Sequence, residues 1–75
     1  MERTLRDLRP GQEAVVAALR STGPMRRRLR DLGLIGGTKV RCLGVSPPGD
    51  PAAYAVRGAV IALRGEDSGQ ILLRD

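Results

Sequence analysis

The 75-residue sequence contains no histidine, tryptophan or phenylalanine, and holds one tyrosine (Tyr54) and one cysteine (Cys42). Each absence removes a class of chemistry. Without histidine, and with a single thiol, the chain alone cannot assemble a zinc finger, a two-histidine iron site or a Cys-His nucleophile. One cysteine also excludes an internal disulfide, so the fold carries no covalent staple. Lysine is nearly missing too: 13 basic residues, all arginine but Lys39, stand against 8 acidic ones, for a net charge of +5. No apolar run approaches the ~18–20 residues that span a bilayer, the longest strongly apolar stretch being residues 58–63. The opening Met1-Glu-Arg-Thr-Leu-Arg-Asp7 lacks the apolar centre of a signal peptide. The expectation is a cytoplasmic protein with no direct membrane insertion.

What is present is aliphatic. Apolar residues make up 41% of the chain, so the core is expected to be built from Val, Leu, Ile, Ala and Met within one domain, 1–75. A chain this short buries only about 60–65% of the surface that its unfolded form exposes. Arginine in place of lysine suits phosphate recognition, because the planar fork matches phosphate geometry. The plainer reading, and the preferred one, is codon usage in a GC-rich genome.

Residues 4–8 read as a turn-like lead-in, stopped at Arg9-Pro10-Gly11. Residues 13–20, centred on Val15 and Val16, read as a first strand. Residues 24–32 are the clearest helix. Pro24 suits its first turn, Thr22 or Gly23 its cap, and Met25, Leu29 and Leu32 form one apolar stripe. Gly33 sits where a left-handed C′ residue belongs, with Leu34 placed to touch Leu29 in a Schellman stop. Residues 38–45 alternate as a half-buried strand, with Cys42 on the apolar side. Its phase changes at Gly44, where Leu43 and Val45 take over as the apolar pair, a pattern typical of a bulge or barrel corner. A turn-rich loop follows at 46–51. Residues 52–57 and 59–64 then read as a hairpin around Gly58, residues 65–69 as a loop or single helical turn, and residues 70–74 as a last strand. The class is mostly β: a small barrel of about five strands, its edges closed, with one short α-helix inserted after the first strand.

Three groups of residues are candidates for chemistry. Arg26-Arg27-Arg28 and Arg30 form a basic ridge on the helix, with Arg27 spaced to pair with Asp31. Such a ridge suits nucleic acid or an acidic protein partner; it also suits plain solvation, with arginine stems covering apolar surface. Single-strand binders stack bases on aromatic side chains, and Tyr54 is the only aromatic available. Asp50, in the 46–51 loop, reads first as a turn residue. Glu66 and Asp67 are the only adjacent acidic pair. Together these three carboxylates are the weak candidates for a metal, since hard cations gather several oxygen ligands. No phosphate-binding glycine loop and no catalytic constellation is present, so no enzyme and no cofactor is expected.

The string Arg27-Arg28-Leu29-Arg30-Asp31-Leu32-Gly33-Leu34-Ile35-Gly36-Gly37-Thr38-Lys39-Val40 resembles the "RRLxDLGLxPGTxV" signature of the ferrous iron transport protein A (FeoA) family. Ser46-Pro-Pro-Gly-Asp-Pro51 is similar to that family's "APLGDP" turn. Val56-Arg-Gly58 and Ile61-Ala-Leu-Arg64 are similar to its "VRGxxxxLR" hairpin, and the lead-in is similar to its "LxDLxPGQ" opening. Gly36-Gly37 departs from the family's Pro-Gly, and Glu66-Asp67-Ser68-Gly69 stands where an Ala-containing turn is common. A similar domain ends metal-dependent transcriptional repressors, whose winged-helix reader has no counterpart here.

The resemblance implies an SH3-like barrel and an accessory or regulatory role in bacterial ferrous iron uptake. The implied partner is ferrous iron permease B, a membrane protein with a cytoplasmic GTPase domain. The expected partner-binding residues are Arg26, Arg27, Arg30, Leu34 and Ile35. The alternative is a small basic barrel that binds nucleic acid. A homo-oligomer is also compatible with the composition, because Val15, Val60 and Leu72 exceed what so small an interior holds.

Overall fold

The structure, a computed structural model, describes residues 2–74. A 3-10 turn over Leu5–Asp7 opens the chain and is held by Asp7, whose carboxylate accepts from the Thr4 N–H at 2.9 Å. Five strands follow: β1 (Glu13–Leu19), β2 (Lys39–Val45), β3 (Ala52–Val56), β4 (Ala59–Leu63) and β5 (Ile71–Leu73). Two helices, α1 (Gly23–Asp31) and the single turn α2 (Gly65–Ser68), interrupt them. All pairings are antiparallel, in the order β4-β3-β2-β1-β5.

The curl of this sheet comes from β1. Its first half pairs with β2 and its second half with β5, with a register shift between Val16 and Ala18. Five strands and one inserted helix agree with the sequence expectation. Closure does not: β4 and β5 end the sheet without pairing to each other. The outer side of β5 is instead lined by the lead-in, through a Thr4–Leu72 bridge and a 2.9 Å bond from the Leu73 N–H to the Arg3 carbonyl. Edge closure depends on a contact between the two ends of the sheet, and no local pattern encodes it.

The phase change at Gly44 is a bulge, with the register shifting between Cys42 and Gly44. Its apolar pair is not buried, however: Leu43 is 46% and Val45 42% exposed. Val45 lies opposite Ala52, which lies opposite Leu63, so it faces inward but at the open end of the sheet, where little packs over it. Leu43 is the extra residue of the bulge and stays outside. Of the surplus aliphatics, Val60 is on the surface at 68% exposure, Val15 and Leu72 are half-buried.

The helix stop forms as read. Gly33 takes φ +98°, the Gly33 N–H bonds Arg30 O at 2.9 Å, and the Leu34 N–H bonds Leu29 O at 3.0 Å. These are the two bonds of a Schellman motif. They bring Leu29 and Leu34, both fully buried, into one core, each contributing on the order of 1.5–3 kcal/mol of apolar burial. Gly33 is required twice over. Besides its backbone angle, a Cβ there would lie 2.8 Å from Arg57 Cδ, because the Arg57 stem crosses directly above it. Arg57 itself (φ 52°) and Gly58 (φ 80°) form the two-residue turn of the β3–β4 hairpin, both left-handed as a type I′ turn demands.

Tyr54, the only aromatic, is the largest fully buried side chain. Its hydroxyl donates to the Leu5 carbonyl at 3.4 Å, tying β3 to the lead-in. Burial is the main reason that its phenol is pushed above 10.0; nearby Cys42 and Asp50 add to the rise, and a hydrogen bond with Ser68 opposes it. Cys42 is buried beside it, as expected.

Two outcomes follow for stability. Gly33→Ala is expected to lose about 1–3 kcal/mol in urea denaturation, from a left-handed backbone and the displaced Arg57 stem, whereas Gly44→Ala changes stability by no more than about 0.5 kcal/mol. At Gly44 the backbone is not left-handed and a Cβ would meet nothing within 4 Å. The second concerns pH. The folded-state pKa of Tyr54 lies above its unfolded value, so its contribution is complete below pH 10.0 and is lost as pH rises through the folded pKa. Denaturation measured at about pH 9 and about pH 11 will show a steeper loss for the natural protein than for Tyr54→Phe, and equal losses would contradict this reading.

Candidate functional site

α1 is nine residues long, too short to persist alone, and it is held on one side by Leu29 with Met25 partly buried. Its remaining positions are exposed, and four of them are arginines: Arg26, Arg27, Arg28 and Arg30. Arg26, Arg27 and Arg30 line one shallow hollow together with Gly23 and Asp31. Within it the three are not equivalent. Arg26 Nη1 donates to the Leu19 carbonyl at 3.1 Å, so Arg26 fastens the helix to the end of β1. Arg27 and Arg30 are exposed. The i, i+4 spacing of Arg27 and Asp31 is not used: among the described residues the one ion pair joins Arg20 to Glu2. The ridge therefore presents guanidinium groups that form no ion pair, with Asp31 the one carboxylate in the same hollow.

The other two partner-binding candidates separate from the ridge. Leu34 has no exposed surface and belongs to the core. The Schellman stop that makes Leu34 recognisable in the sequence is what buries it, and it cannot form part of a docking face. Ile35 is half-buried and lines a different hollow with Gly36, Gly37, Thr38, Lys39 and Arg57, sharing no residue with the arginine hollow.

The structure also forms a cleft that sequence reasoning missed. It is about 460 Å³ in volume and lies where the lead-in, the 46–51 loop and α2 meet. Arg6 and Arg9 stand on its rim, and Leu8, Ala52, Tyr54 and Leu63 are on its walls. Gly65 makes the approach possible, since a Cβ there would lie 3.0 Å from Arg6 Nε. The sequence signal was available in the charged run Arg6-Asp7-Leu8-Arg9, but its partners, from Val45 to Ser68, lie far along the chain.

The three carboxylates weighed for a metal have other surroundings. Asp50 Oδ1 accepts from the Gly65 N–H at 2.5 Å and so caps α2 across the loop. Glu66 and Asp67 lie in the first turn of α2, where negative charge favours a helix N-terminus. Among the described residues, no three of His, Cys, Asp and Glu gather where they could hold a metal ion. Asp50 thus ties the 46–51 loop to the start of α2. Among the described residues, no helix is long and apolar enough to cross a membrane.

Against this geometry, the FeoA domain model matches residues 3–75. The Fe(2+) transport protein A/Fe(2+) transporter FeoB fusion protein of Porphyromonas gingivalis (strain ATCC BAA-308 / W83) is 28% identical over 67 residues. That match takes in 89% of this chain and 8% of the fusion protein, so the chain spans less than a tenth of that relative. Among solved structures, FeoA from Chlorobium tepidum superposes with a TM-score of 0.88 at 32% identity, covering 95% of this chain and 68% of that one. FeoA from Stenotrophomonas maltophilia, complexed with zinc and described as a procaryotic SH3 domain protein, gives 0.87 at 29% identity, covering 96% and 89%. The open five-stranded sheet with its inserted helix is therefore SH3-like. With the family's pattern matched across almost its entire length, the chain belongs to the FeoA domain family, which is associated with ferrous iron transport.

Proposed function

We propose that this chain is a single-domain accessory module of ferrous iron uptake that works in the cytoplasm, without enzymatic activity, by binding the GTPase-bearing cytoplasmic part of ferrous iron permease B. One observation carries the proposal: in the Porphyromonas gingivalis relative a unit of this kind and an FeoB transporter are one polypeptide. Covalent fusion keeps two units together at high effective concentration, which serves units that act on one another.

The ridge of Arg27 and Arg30 is the proposed contact, with Arg26 fixing the helix beneath it. Unpaired guanidinium groups on a firmly seated helix favour an acidic protein surface and speed its encounter. Ile35 lies in a separate hollow and is proposed to add apolar contact at the rim of the interface. Nucleic acid is not the proposed partner. Tyr54 is buried, so no aromatic platform for base stacking is available. Iron is handled by the partner; the carboxylates Asp50, Glu66 and Asp67 are not proposed as its ligands.

The test is co-retention of the isolated cytoplasmic portion of the permease with this chain, at physiological salt. Arg27→Glu with Arg30→Glu is expected to weaken retention by about tenfold or more, the usual consequence of reversing two rim charges. Arg26 is left unchanged because it holds the Leu19 carbonyl. Equal retention of the double variant would remove the ridge from the interface. Failure of the unaltered chain to retain the permease portion would refute the proposal.

A further inference from the structure

The turn that carries the chain from α1 into β2 is tied down by β1. The Thr38 N–H returns to the Ile35 carbonyl at 3.1 Å, with Gly37 at φ +92° between them. The Gly37 N–H bonds the Val16 carbonyl at 2.8 Å, and the Val16 N–H bonds the Thr38 carbonyl at 2.9 Å. Gly36 lies close on the same strand, where a Cβ would come within 3.1 Å of the Ala17 carbonyl oxygen.

The hollow lined by Ile35, Gly36, Gly37, Thr38, Lys39 and Arg57 is built on this turn and measures about 460 Å³. Two cations enter it from neighbouring strands. Val40 pairs with Val56 at the end of the β2–β3 ladder, so Lys39 and Arg57 are the next residues on either side. The Arg57 stem is seated where it crosses Gly33. Like charges brought together across strands are unfavourable, and an anion between them reverses the sign of that term. The cleft holds Asp7 and Asp50 and the arginine hollow holds Asp31, but no carboxylate lines this one. Glu13, on the same face of the sheet, stands opposite Arg41.

Uncharged donors are left over in the same place. Thr38 is only 8% exposed, yet its hydroxyl has no hydrogen-bond partner among the described residues. Buried polar side chains are normally paired. Among the described residues the side-chain oxygen sealed away without a partner is Ser21 Oγ, so the Thr38 hydroxyl opens to the hollow that it lines. The Gly36 N–H likewise bonds no described backbone group.

We infer that this hollow binds a phosphate group, held by Arg57, Lys39 and the Thr38 hydroxyl. The planar fork of Arg57 takes two phosphate oxygens, Lys39 adds a point charge, and the hydroxyl donates to a third oxygen. A phosphate monoester carries about −1.5 to −2 charges at pH 7, which matches two cations that no carboxylate offsets. Thr38, Lys39 and Arg57 take no part in the proposed permease contact, so the two readings fail separately.

The test is an amide NMR titration of the full chain with inorganic phosphate, the ionic strength held constant with sodium chloride. Saturable shifts are expected at Gly36, Thr38 and Lys39, with a Kd on the order of 1 mM. Lys39→Gln will weaken binding by about fivefold or more and Thr38→Val by about threefold. Arg41→Gln removes an equal charge from the same face of β2 and will stay within about twofold. Phosphatidylcholine vesicles with and without phosphatidic acid separate the sources of the group. Retention only by the phosphatidic acid vesicles, lost in Lys39→Gln, assigns a lipid headgroup. Phosphate binding with no retention assigns a soluble phosphate compound. Amides of the turn that show no saturable shift up to about 50 mM phosphate overturn the inference. So do equal losses in Lys39→Gln and Arg41→Gln, which would mark a general attraction of anions to a basic chain.

Discussion

The arrangement depends on a short helix that cannot hold itself together. Nine residues of α1 gain little from their own hydrogen bonds, so the fold must seize the helix from one side. It does so at the C-terminus. The left-handed Gly33 sends the chain back beneath the helix, Leu34 joins Leu29 in the core, and the Arg57 stem from the β3–β4 turn closes over the glycine. At the other end Arg26 grips the last carbonyl of β1. With both ends fastened and one side buried, the helix has no freedom to roll, and Arg27 and Arg30 are held outward by the packing. The feature that gives the molecule its basic ridge is therefore a packing feature first.

Much of this was legible in local sequence. The stop at Gly33 needs only a glycine after an apolar periodicity and a leucine after the glycine. The bulge at Gly44 shows as a break in alternation, and Arg57-Gly58 shows as a turn between two apolar runs. Such signals lie within a few residues of one another. What was not legible joins distant parts of the chain. Asp50 meets the N–H of Gly65, Arg6 crosses Gly65, and Thr4 lies beside Leu72. None leaves a periodic trace, and the first two shape the cleft. Leu34 is the instructive case, because two readings of one residue competed. A leucine at a helix exit looks available to a partner, but the hydrogen bonds that end the helix drive it inward.

The missing histidines take on a definite meaning in this setting. The carboxylates that a cation would need are occupied by backbone N–H groups or spread along a single helical turn. A domain of an iron-transport family is here constructed as a surface, with little of the inward-facing polarity that a metal centre requires. The single buried phenol serves packing: Tyr54 supplies the bulk that a core of aliphatic side chains lacks, and its one polar atom is answered by the Leu5 carbonyl.

The bond between Leu73 and Arg3 carries one more consequence. It sets residues from the two ends of the described chain side by side on the outer flank of β5. A polypeptide running into this unit leaves it again at almost the same point, like a bead threaded through one hole. Such a unit can be spliced into a longer chain, or attached at either end of one, without pulling its strands apart. The strip that guards one edge of the sheet thus also makes the fold portable.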